Sequence, residues 1–287
     1  MIRSTVRFLQ FDLSTTSSPS SESVIYNGSH LKEMAYAPLK ALIVGANRGL
    51  GLALTKELHK RGTTVYATTR SPAKEGTFPD GVHVIEGIDV GEPGAGKTLV
   101  EKLEGAKLDL TVIVAGLLKE ETFKEPDFQA EMDMYKICAV GPVFITSALS
   151  KSSFASNAKL ILLTSEGGSI TLRTEKEGGG MFGHHGSKAA ANMVGHLLSY
   201  DLKPKGVTVV MIHPGFLITD MTGGMKDHYK KGGAVKPEVA APIFLDFVDT
   251  VTLKHTGQFW APMGPKGIGN AEEVLGKDLP TPLQLPW

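Results

Sequence analysis

The sequence predicts a single-domain α/β protein with a doubly wound parallel sheet. Short apolar runs alternate along the chain with longer segments in which apolar residues recur every three or four positions. The runs end at glycine or at polar residues, which is typical of strands that are buried on both faces. The chain has 287 residues, of which 41% are hydrophobic, and this suffices for one sizeable core. Strands and helices in alternation fold with right-handed crossovers, so we expect a sheet of the Rossmann type.

The elements follow in order from the first apolar run. Residues 42–44 predict a strand that ends at Gly45, and Leu50, Leu54 and Leu58 then predict a helix that Gly62 closes. Further strands are predicted at 65–68, 82–85, 110–114, 160–163 and 207–212, and further helices at 98–104, 127–149, 187–202 and from Pro237 to about Phe247.

One helix carries an apolar stripe. Within 187–202, the residues Ala190, Met193, Val194 and Leu197 share a face, so we expect this face to pack on the core. Residues 261–287 are rich in proline and glycine and predict an irregular C-terminal tail.

The first 33 residues differ in composition from the folded domain, which we place at 34–287. Residues 14–23 are mostly serine and threonine, so we expect 1–33 to be a disordered extension. Arg3 and Arg7 suggest an organelle-targeting peptide instead, but Asp12 and Glu22 oppose this because such peptides are poor in acids.

Charge and cysteine content exclude several classes of partner. Thirty basic residues balance thirty acidic ones, so neither nucleic acid nor an anionic membrane surface is favoured. No apolar run reaches the roughly 18 residues expected of a membrane span. Cys138 is the single cysteine, which rules out an internal disulfide and predicts a reducing, cytoplasmic location.

A glycine-rich turn lies between the first strand and the first helix. It reads Gly45-Ala46-Asn47-Arg48-Gly49-Leu50-Gly51. Glycines permit the tight turn and let a pyrophosphate approach the backbone, while the helix N-terminus offers free N–H groups to the phosphates. The spacing Gly-x-x-x-Gly-x-Gly resembles that of the short-chain dehydrogenase/reductase family, which binds a nicotinamide dinucleotide there.

The resemblance covers residues 39–260 and extends to several other motifs. Asp89-Val90 is similar to the family's adenine-contacting pair, and Ala115-Gly116 to the end of its Asn-Asn-Ala-Gly motif, although Ile113 and Val114 replace both asparagines. Pro214-Gly215 and Thr219 resemble the residues that meet the nicotinamide carboxamide. Gly141-Pro142 and the spacing from Gly179 to Lys188 resemble the Sniffer-type and carbonyl-reductase-like branch.

The charge around the second strand predicts NADP(H) as the cofactor. An acid at the end of this strand would bind a free ribose 2′-hydroxyl, but the chain has Thr68-Thr69-Arg70. Arg48 in the glycine turn and Arg70 after the strand can clamp a 2′-phosphate. The alternative is that both are solvated surface arginines.

A second glycine-rich segment matches a different phosphate-binding pattern. Residues 91–98 fit Gly-x-x-x-x-Gly-Lys-Ser/Thr, which in nucleotidases follows the first strand and is accompanied by an acid that ends another strand. Here the match follows the third strand, and the fourth and fifth strands run into Ala115-Gly116 and Thr164-Ser165. We interpret the segment as a surface connection.

The catalytic motif departs from the family pattern. Members carry Tyr-x-x-x-Lys with an upstream serine and an asparagine, and the lysine holds the ribose while lowering the tyrosine pKa. Lys188 is present and Ser165 matches the serine, but His184 stands four residues before Lys188 and Cys138 occupies the asparagine position. The resemblance therefore implies Ser165, His184 and Lys188 as catalytic residues. No Cys-x-x-Cys or His-x-x-x-His spacing is present, so we expect no metal site.

Two interpretations of His184 stay open. Lys188 should lower its pKa, so that a neutral imidazole serves as a base for oxidation but as a poor acid for reduction. Alternatively, His184 fills the space of a tyrosine. We expect the helical phase of His185 to point it elsewhere. Glu166 is either a substitute proton donor or a solvated loop residue, and Cys138 is expected to be a buried, inert thiol.

The resemblance implies an NADP(H)-dependent enzyme acting on a small or medium organic carbonyl or alcohol with a non-standard proton-transfer residue. One rival is a non-redox isomerase, cyclase or dehydratase that keeps NADP(H) as a structural ligand. Another is a non-catalytic dinucleotide-binding regulator. Residues 220–235 are expected to cover the pocket and set specificity. The family commonly pairs through two long helices, which implies a homodimer or homotetramer.

Overall fold

A computed structural model describes residues 39–230 and 232–287. The expected disordered extension, 1–33, lies outside the described residues. Eight strands form one sheet in the order β3-β2-β1-β4-β5-β6-β7-β8 within the described part of the chain. Strands β1 to β7 pair in parallel, and β8 pairs with β7 antiparallel. The predicted α/β fold with a doubly wound sheet is confirmed.

The bounds of the elements are close to those expected for most of the chain. The strands are β1 Lys40–Val44, β2 Thr64–Thr69, β3 His83–Glu86, β4 Leu108–Ile113, β5 Phe154–Leu163, β6 Thr208–Ile212, β7 Gln258–Ala261 and β8 Leu283–Gln284. The helices are α1 Gly49–Lys60, α2 Ala95–Lys102, α3 Phe128–Tyr135, α4 Gly141–Leu149, α5 Phe182–Leu202, α6 Pro237–Thr250 and α7 Ala271–Leu275.

The sheet has a hydrophobic core on each face. Along β1, Leu42 and Val44 belong to one core while Ala41 and Ile43 belong to the other, as expected from side chains that alternate across a strand. The first core packs against α2, α4 and α5, and the second against α1 and α6. Because every parallel strand ends at the same edge of the sheet, the loops after β1, β4, β5 and β6 meet there.

The predicted apolar stripe of α5 is wrong. Met193 and Leu197 are 58% and 52% exposed, and the buried face carries small and polar residues instead. The cause is the close approach of α5 to the sheet: a Cβ on Gly195 would lie 2.3 Å from Met211 Sδ. Only small residues fit between helix backbone and sheet, so the larger apolar side chains lie on the opposite face. The helix also starts at Phe182, five residues earlier than expected.

The predicted helix 127–149 is interrupted at its centre. Residues Lys136–Val140 form a π-helical segment between α3 and α4, and Cys138 lies within it. By length and a mean hydropathy of 1.2, Phe128–Leu149 is sufficient to cross a membrane, contrary to expectation. In this fold the run packs against α5 and α2, and Ile145 and Leu149 are fully buried in the core.

The C-terminal residues are more regular than predicted. Residues 261–287 include α7 and β8, and β8 extends the sheet antiparallel to β7. Ile268, Ala271, Leu283 and Leu285 are buried in the same core as α2 and α4. The composition concealed this because each element is short and the apolar residues that anchor it are widely spaced.

The glycine-rich segment 91–98 contains the end of the loop after β3 and the first turn of α2, which packs closely against α4. A Cβ on Gly96 would lie 2.5 Å from the carbonyl oxygen of Phe144, so this glycine lets α2 contact α4 directly. Lys97, the lysine of the phosphate-loop pattern, is exposed and lies 3.9 Å from Glu101 one turn later. Gly96, the second glycine of the phosphate-loop pattern, therefore has a packing role here.

Candidate active site

The glycine turn after β1 is built against two other loops. Gly45 has φ +91°, and a Cβ at this position would lie 2.9 Å from the backbone of Ala115, which follows β4. The amide of Gly45 donates to Thr68 Oγ1 at 3.0 Å. On the far side, a Cβ on Gly49 would lie 3.5 Å from Thr219 Cγ2. The turn is thus held between the loops that follow β4 and β6.

The geometry of this turn fits a dinucleotide pyrophosphate. A Cβ on Gly51 would lie 2.1 Å from the Gly45 carbonyl oxygen, so the first turn of α1 folds tightly over the loop. No side chain caps the N-terminus of α1 at Arg48. Its first amides therefore point outward as a cradle for an anion. Leu50 is buried beneath the turn and Asn47 is exposed beside it.

The two arginines predicted to bind a 2′-phosphate both lie at the surface. Arg48 precedes α1, its side chain is 66% exposed, and Nη1 lies 3.9 Å from Asp220 Oδ2. Arg70 follows β2 directly and is exposed. Both flank the turn on which the adenosine ribose of a dinucleotide converges, and the nearby Asp220 was not anticipated from the sequence.

Other predicted cofactor residues serve local packing around the same edge. Asp89 Oδ1 accepts the amide of Gly91 at 2.9 Å, which closes the loop after β3. A Cβ on Gly141 would lie 2.3 Å from the carbonyl oxygen of Val90. Glycine at this position therefore lets the loop after β3 pack directly on the start of α4. Gly215, after Pro214, has φ +91° and contacts Met263.

Lys188 lies beside the loop after β4. Its side chain is nearly buried, at 8% exposure for the residue, and Nζ donates to the carbonyl oxygen of Leu163 at 3.0 Å. A Cβ on Gly116 would lie 3.5 Å from Lys188 Nζ and 3.7 Å from Cys138 Sγ. Cys138 is buried, as expected, with Sγ 3.7 Å from the carbonyl oxygen of Leu117. Lysine, cysteine and Gly116 therefore meet where the glycine turn contacts Ala115.

Ser165 and two histidines surround Gly167. A Cβ on Gly167 would lie 3.3 Å from Ser165 Oγ and 3.4 Å from Cε1 of both His184 and His185. Ser165 Oγ accepts the amide of Gly167 at 3.1 Å, and its own hydroxyl hydrogen is free to donate. The structure therefore brings the predicted serine and histidine together, one turn of α5 before Lys188.

The expectation that His185 points elsewhere is wrong. The Nδ1 atoms of His184 and His185 lie 3.3 Å apart, and the two rings meet edge to face with centroids separated by 5.2 Å. Helical phase separates the two Cα–Cβ bonds, but the first turn of α5 leaves the rings room to converge. Arg173 Nη1, at 3.3 Å from His185 Nε2, holds the second ring in place.

The imidazoles of this cluster are neutral at pH 7. Burial first, and Lys188 second, lower the pKa of His184 from an ordinary 6.5 to about 3. This agrees in direction with the effect expected of Lys188. Burial, together with Arg173 and Lys188, also lowers the pKa of His213 to about 3. His213 follows β6, and neither of its ring nitrogens has a hydrogen-bond partner among the described residues.

Sequence reasoning missed the arginine that organises this cluster. Arg173 pairs with Glu166, and its Nη1 lies 3.2 Å from Glu177 Oε1. Glu166 is therefore not a solvated loop residue, and burial raises its pKa despite the opposing effect of Arg173. Asn270, from the C-terminal segment, donates to Glu177 Oε2 at 2.8 Å. No motif surrounds Arg173, so only the fold could reveal its partners.

A cavity of about 770 Å³ is lined in part by residues that directly precede α5, the helix that carries His184 and His185. It is lined by residues 120–125 after β4 and 179–181 before α5. Within residues 220–235, which we expected to cover the pocket, Asp220–His228 form 3₁₀ turns after Thr219. A Cβ on Gly224 would lie 2.6 Å from Glu120 Oε1, so this segment contacts the loop that lines the cavity.

Comparisons with known proteins agree with this fold. A family model described as short chain dehydrogenase matches residues 39–230. The 1-hydroxy-2-glutathionyl-2-methyl-3-butene dehydrogenase of Rhodococcus sp. (strain AD45) is 32% identical over 220 residues, which cover 76% of this chain and 94% of the relative.

Two solved structures show the same fold. Carbonyl reductase Sniffer of D. melanogaster has a TM-score of 0.69 at 24% identity, covering 87% of this chain and 100% of its own. The NADPH-bound carbonyl reductase from chicken fatty liver has a TM-score of 0.67 at 24% identity, covering 78% and 96%.

Proposed function

The chain belongs to the short-chain dehydrogenase family, and from this premise we propose that it is an NADP(H)-dependent oxidoreductase of small or medium organic carbonyls and alcohols. We propose further that His184 takes the place of the family's tyrosine, and Cys138 that of its asparagine. Relatives named as dehydrogenases and oxidoreductases support the reaction class.

The observation that carries the proposal is a continuous set of contacts from the glycine turn to His184. Gly45 packs on Ala115, and the adjacent Gly116 lies beside Lys188 Nζ. Lys188 binds the last carbonyl of β5, and two residues later Ser165 shares Gly167 with His184. A cofactor laid across the carboxyl edge of the sheet would therefore have its reactive end next to the serine and the histidine.

Two observations support NADP(H) as the cofactor: the positive charge of Arg48 and Arg70 beside the glycine turn, and the NADPH-bound carbonyl reductase that shares the fold. When bound, the nicotinamide supplies or accepts the hydride. The amides at the start of α1 would hold the pyrophosphate, and Arg48 and Arg70 would meet the 2′-phosphate. Lys188 Nζ uses one N–H on Leu163 and has two left for the nicotinamide ribose hydroxyls.

Ser165 and His184 have different roles at the substrate oxygen. Ser165 Oγ accepts from the Gly167 amide, which leaves its hydroxyl hydrogen free to donate to that oxygen. His184 is neutral throughout the physiological range because its pKa is about 3. A neutral imidazole carries one N–H, so His184 can polarise a carbonyl by hydrogen bonding and pass its proton to the oxygen as the carbonyl is reduced.

The exposed apolar residues of α5 and α4 support a homodimer or homotetramer. Met193 and Leu197 on α5 are more than half exposed, and Phe144 on α4 is 49% exposed. Single exposed apolar residues are ordinary, but exposed apolar side chains on two helices that contact each other are typical of a subunit contact.

The test follows NADPH absorbance against a panel of ketones, quinones and aldehydes. The wild type should oxidise NADPH with at least one of them, and His184→Ala should lower turnover about a hundredfold or more. His184→Tyr restores the family's group beside Ser165 and Lys188 and should retain or raise carbonyl reductase activity. If substrate is converted while NADPH is never consumed, the protein is the non-redox enzyme instead.

A further inference from the structure

The two histidines and the arginine beside the proposed site make hydrogen bonds in a single line. His184 Nδ1 lies 3.3 Å from His185 Nδ1, and His185 Nε2 lies 3.3 Å from Arg173 Nη1. Glu166 and Glu177 hold the guanidinium of Arg173. Arg173 is thus fixed by two carboxylates while it contacts the outer imidazole.

The direction of each hydrogen bond follows from the arginine. A guanidinium has donors only, so His185 Nε2 must accept. Burial and Arg173 lower the pKa of His185, and His184 has a pKa of about 3, so both rings are neutral at pH 7. A neutral imidazole has one donor nitrogen and one acceptor nitrogen. His185 therefore carries its proton on Nδ1 and donates it to His184 Nδ1, which leaves the proton of His184 on Nε2.

We infer that Arg173 is a positioning residue that fixes the tautomers of His185 and His184, so that His184 presents an Nε2–H donor to the substrate oxygen beside Ser165. The role of that oxygen rests on the proposed function, whereas the tautomers rest on the contacts alone. His184 Nε2 has no partner within the described residues and is not sealed from solvent, so the donor is available.

The same line of hydrogen bonds lets a neutral histidine deliver a proton. As the Nε2–H bond of His184 breaks and an O–H bond forms on the substrate, His184 Nδ1 takes the proton from His185 Nδ1. Arg173 Nη1 moves off His185 Nε2, which then takes from a solvent acid the one proton that carbonyl reduction consumes, and both rings end neutral with exchanged tautomers. To restore the first pair, His185 Nε2 returns a proton to solvent, His184 Nδ1 passes its proton back to His185 Nδ1, and His184 Nε2 takes a proton from solvent. The guanidinium of Arg173 favours this return, because only an unprotonated Nε2 accepts its N–H.

The charges that face the pair favour this neutral relay. Lys188, on the same helix, and Arg173, from the loop after β5, both lower the pKa of His184. His213, after β6, acts in the same direction. Glu177 and a hydrogen bond to the Met181 backbone raise the pKa of His185, but burial and Arg173 outweigh them, so the pair stays neutral.

Nuclear magnetic resonance of the ¹⁵N-labelled protein at pH 7 tests the inference without cofactor or substrate. Long-range ¹H–¹⁵N correlations report which nitrogen of each imidazole carries the proton. The wild type should show His184 protonated on Nε2 and His185 on Nδ1. A proton on His184 Nδ1 overturns the inference, whatever the enzyme's activity. A redox failure with the expected tautomers would overturn only the proposed function.

Variants of Arg173 then test its part. Arg173→Met should shift His185 towards the Nε2–H tautomer and His184 towards Nδ1–H, and lower kcat at least tenfold with little change in KM. Arg173→Lys keeps a hydrogen-bond donor and should therefore retain most of the wild-type tautomer populations and most of the wild-type kcat. The matched control is Arg61→Met, which removes an arginine bound to Glu57 and Asp246 far along the chain and should change neither tautomer. If Arg173→Met leaves both tautomers as in the wild type, the arginine does not set them.

Discussion

Lowering the pH from 7 to 5 should destabilise the protein through His184 and His213, the two histidines whose pKa falls furthest. Each has a pKa of 6.5 in the unfolded chain and about 3 in the folded one. As the pH falls below 6.5, the unfolded state binds protons that the folded state cannot bind. Stability is therefore lost between pH 6.5 and about 3. One pKa unit corresponds to about 1.4 kcal/mol, so each histidine should cost about 2 kcal/mol by pH 5.

Urea denaturation at pH 7 and pH 5 measures this loss, which should be about 4 kcal/mol for the pair. The lowered pKa of His185 adds to the loss and the raised pKa of Glu166 opposes it, so the decisive comparison is between variants. His213→Leu should remove about 2 kcal/mol of the loss, and His184→Gln should do the same. His83→Gln, on exposed β3, is the matched control and should leave the loss unchanged. An unchanged loss in His213→Leu would refute the reasoning.

Three further predictions concern the cofactor, the glycine-rich segment and the helix face. NADPH should bind at least tenfold more tightly than NADH in a fluorescence titration, and Arg70→Ala should remove most of that preference; equal affinities in the wild type would contradict the role given to charge. Lys97→Ala should leave the melting temperature and dinucleotide binding unchanged, and ATP with Mg²⁺ should not raise that temperature, whereas Gly96→Ala should cost about 1–3 kcal/mol by overpacking α2 on α4. Met193→Glu with Leu197→Glu should lower the mass found by light scattering to that of a monomer if α5 is a subunit contact, and an unchanged oligomer would exclude this face.

The sequence predicts the sheet well because apolar runs and the glycine turn are local signals. It also predicts that Ser165, His184 and Lys188 lie together, since their spacing follows a family pattern. It does not predict the burial of α5, because the close approach at Gly195 depends on how far the helix lies from β6. Arg173 was missed for a similar reason: its partners come from segments whose proximity only the fold creates.

The order of the C-terminal segment bears on how variation in this protein should be interpreted. The carbonyl oxygen of Trp287 accepts hydrogen bonds from the amide and hydroxyl of Thr171, at 3.0 and 2.7 Å. Asn270 donates to the carbonyl oxygen of Leu172, immediately before Arg173. Residues 261–287 therefore pack against the segment that carries Arg173, so a substitution in either segment affects the other. A chimaera that joins residues 1–260 of this protein to the C-terminal segment of a relative would separate Thr171 and Leu172 from the residues that bind them. These contact partners must be exchanged together.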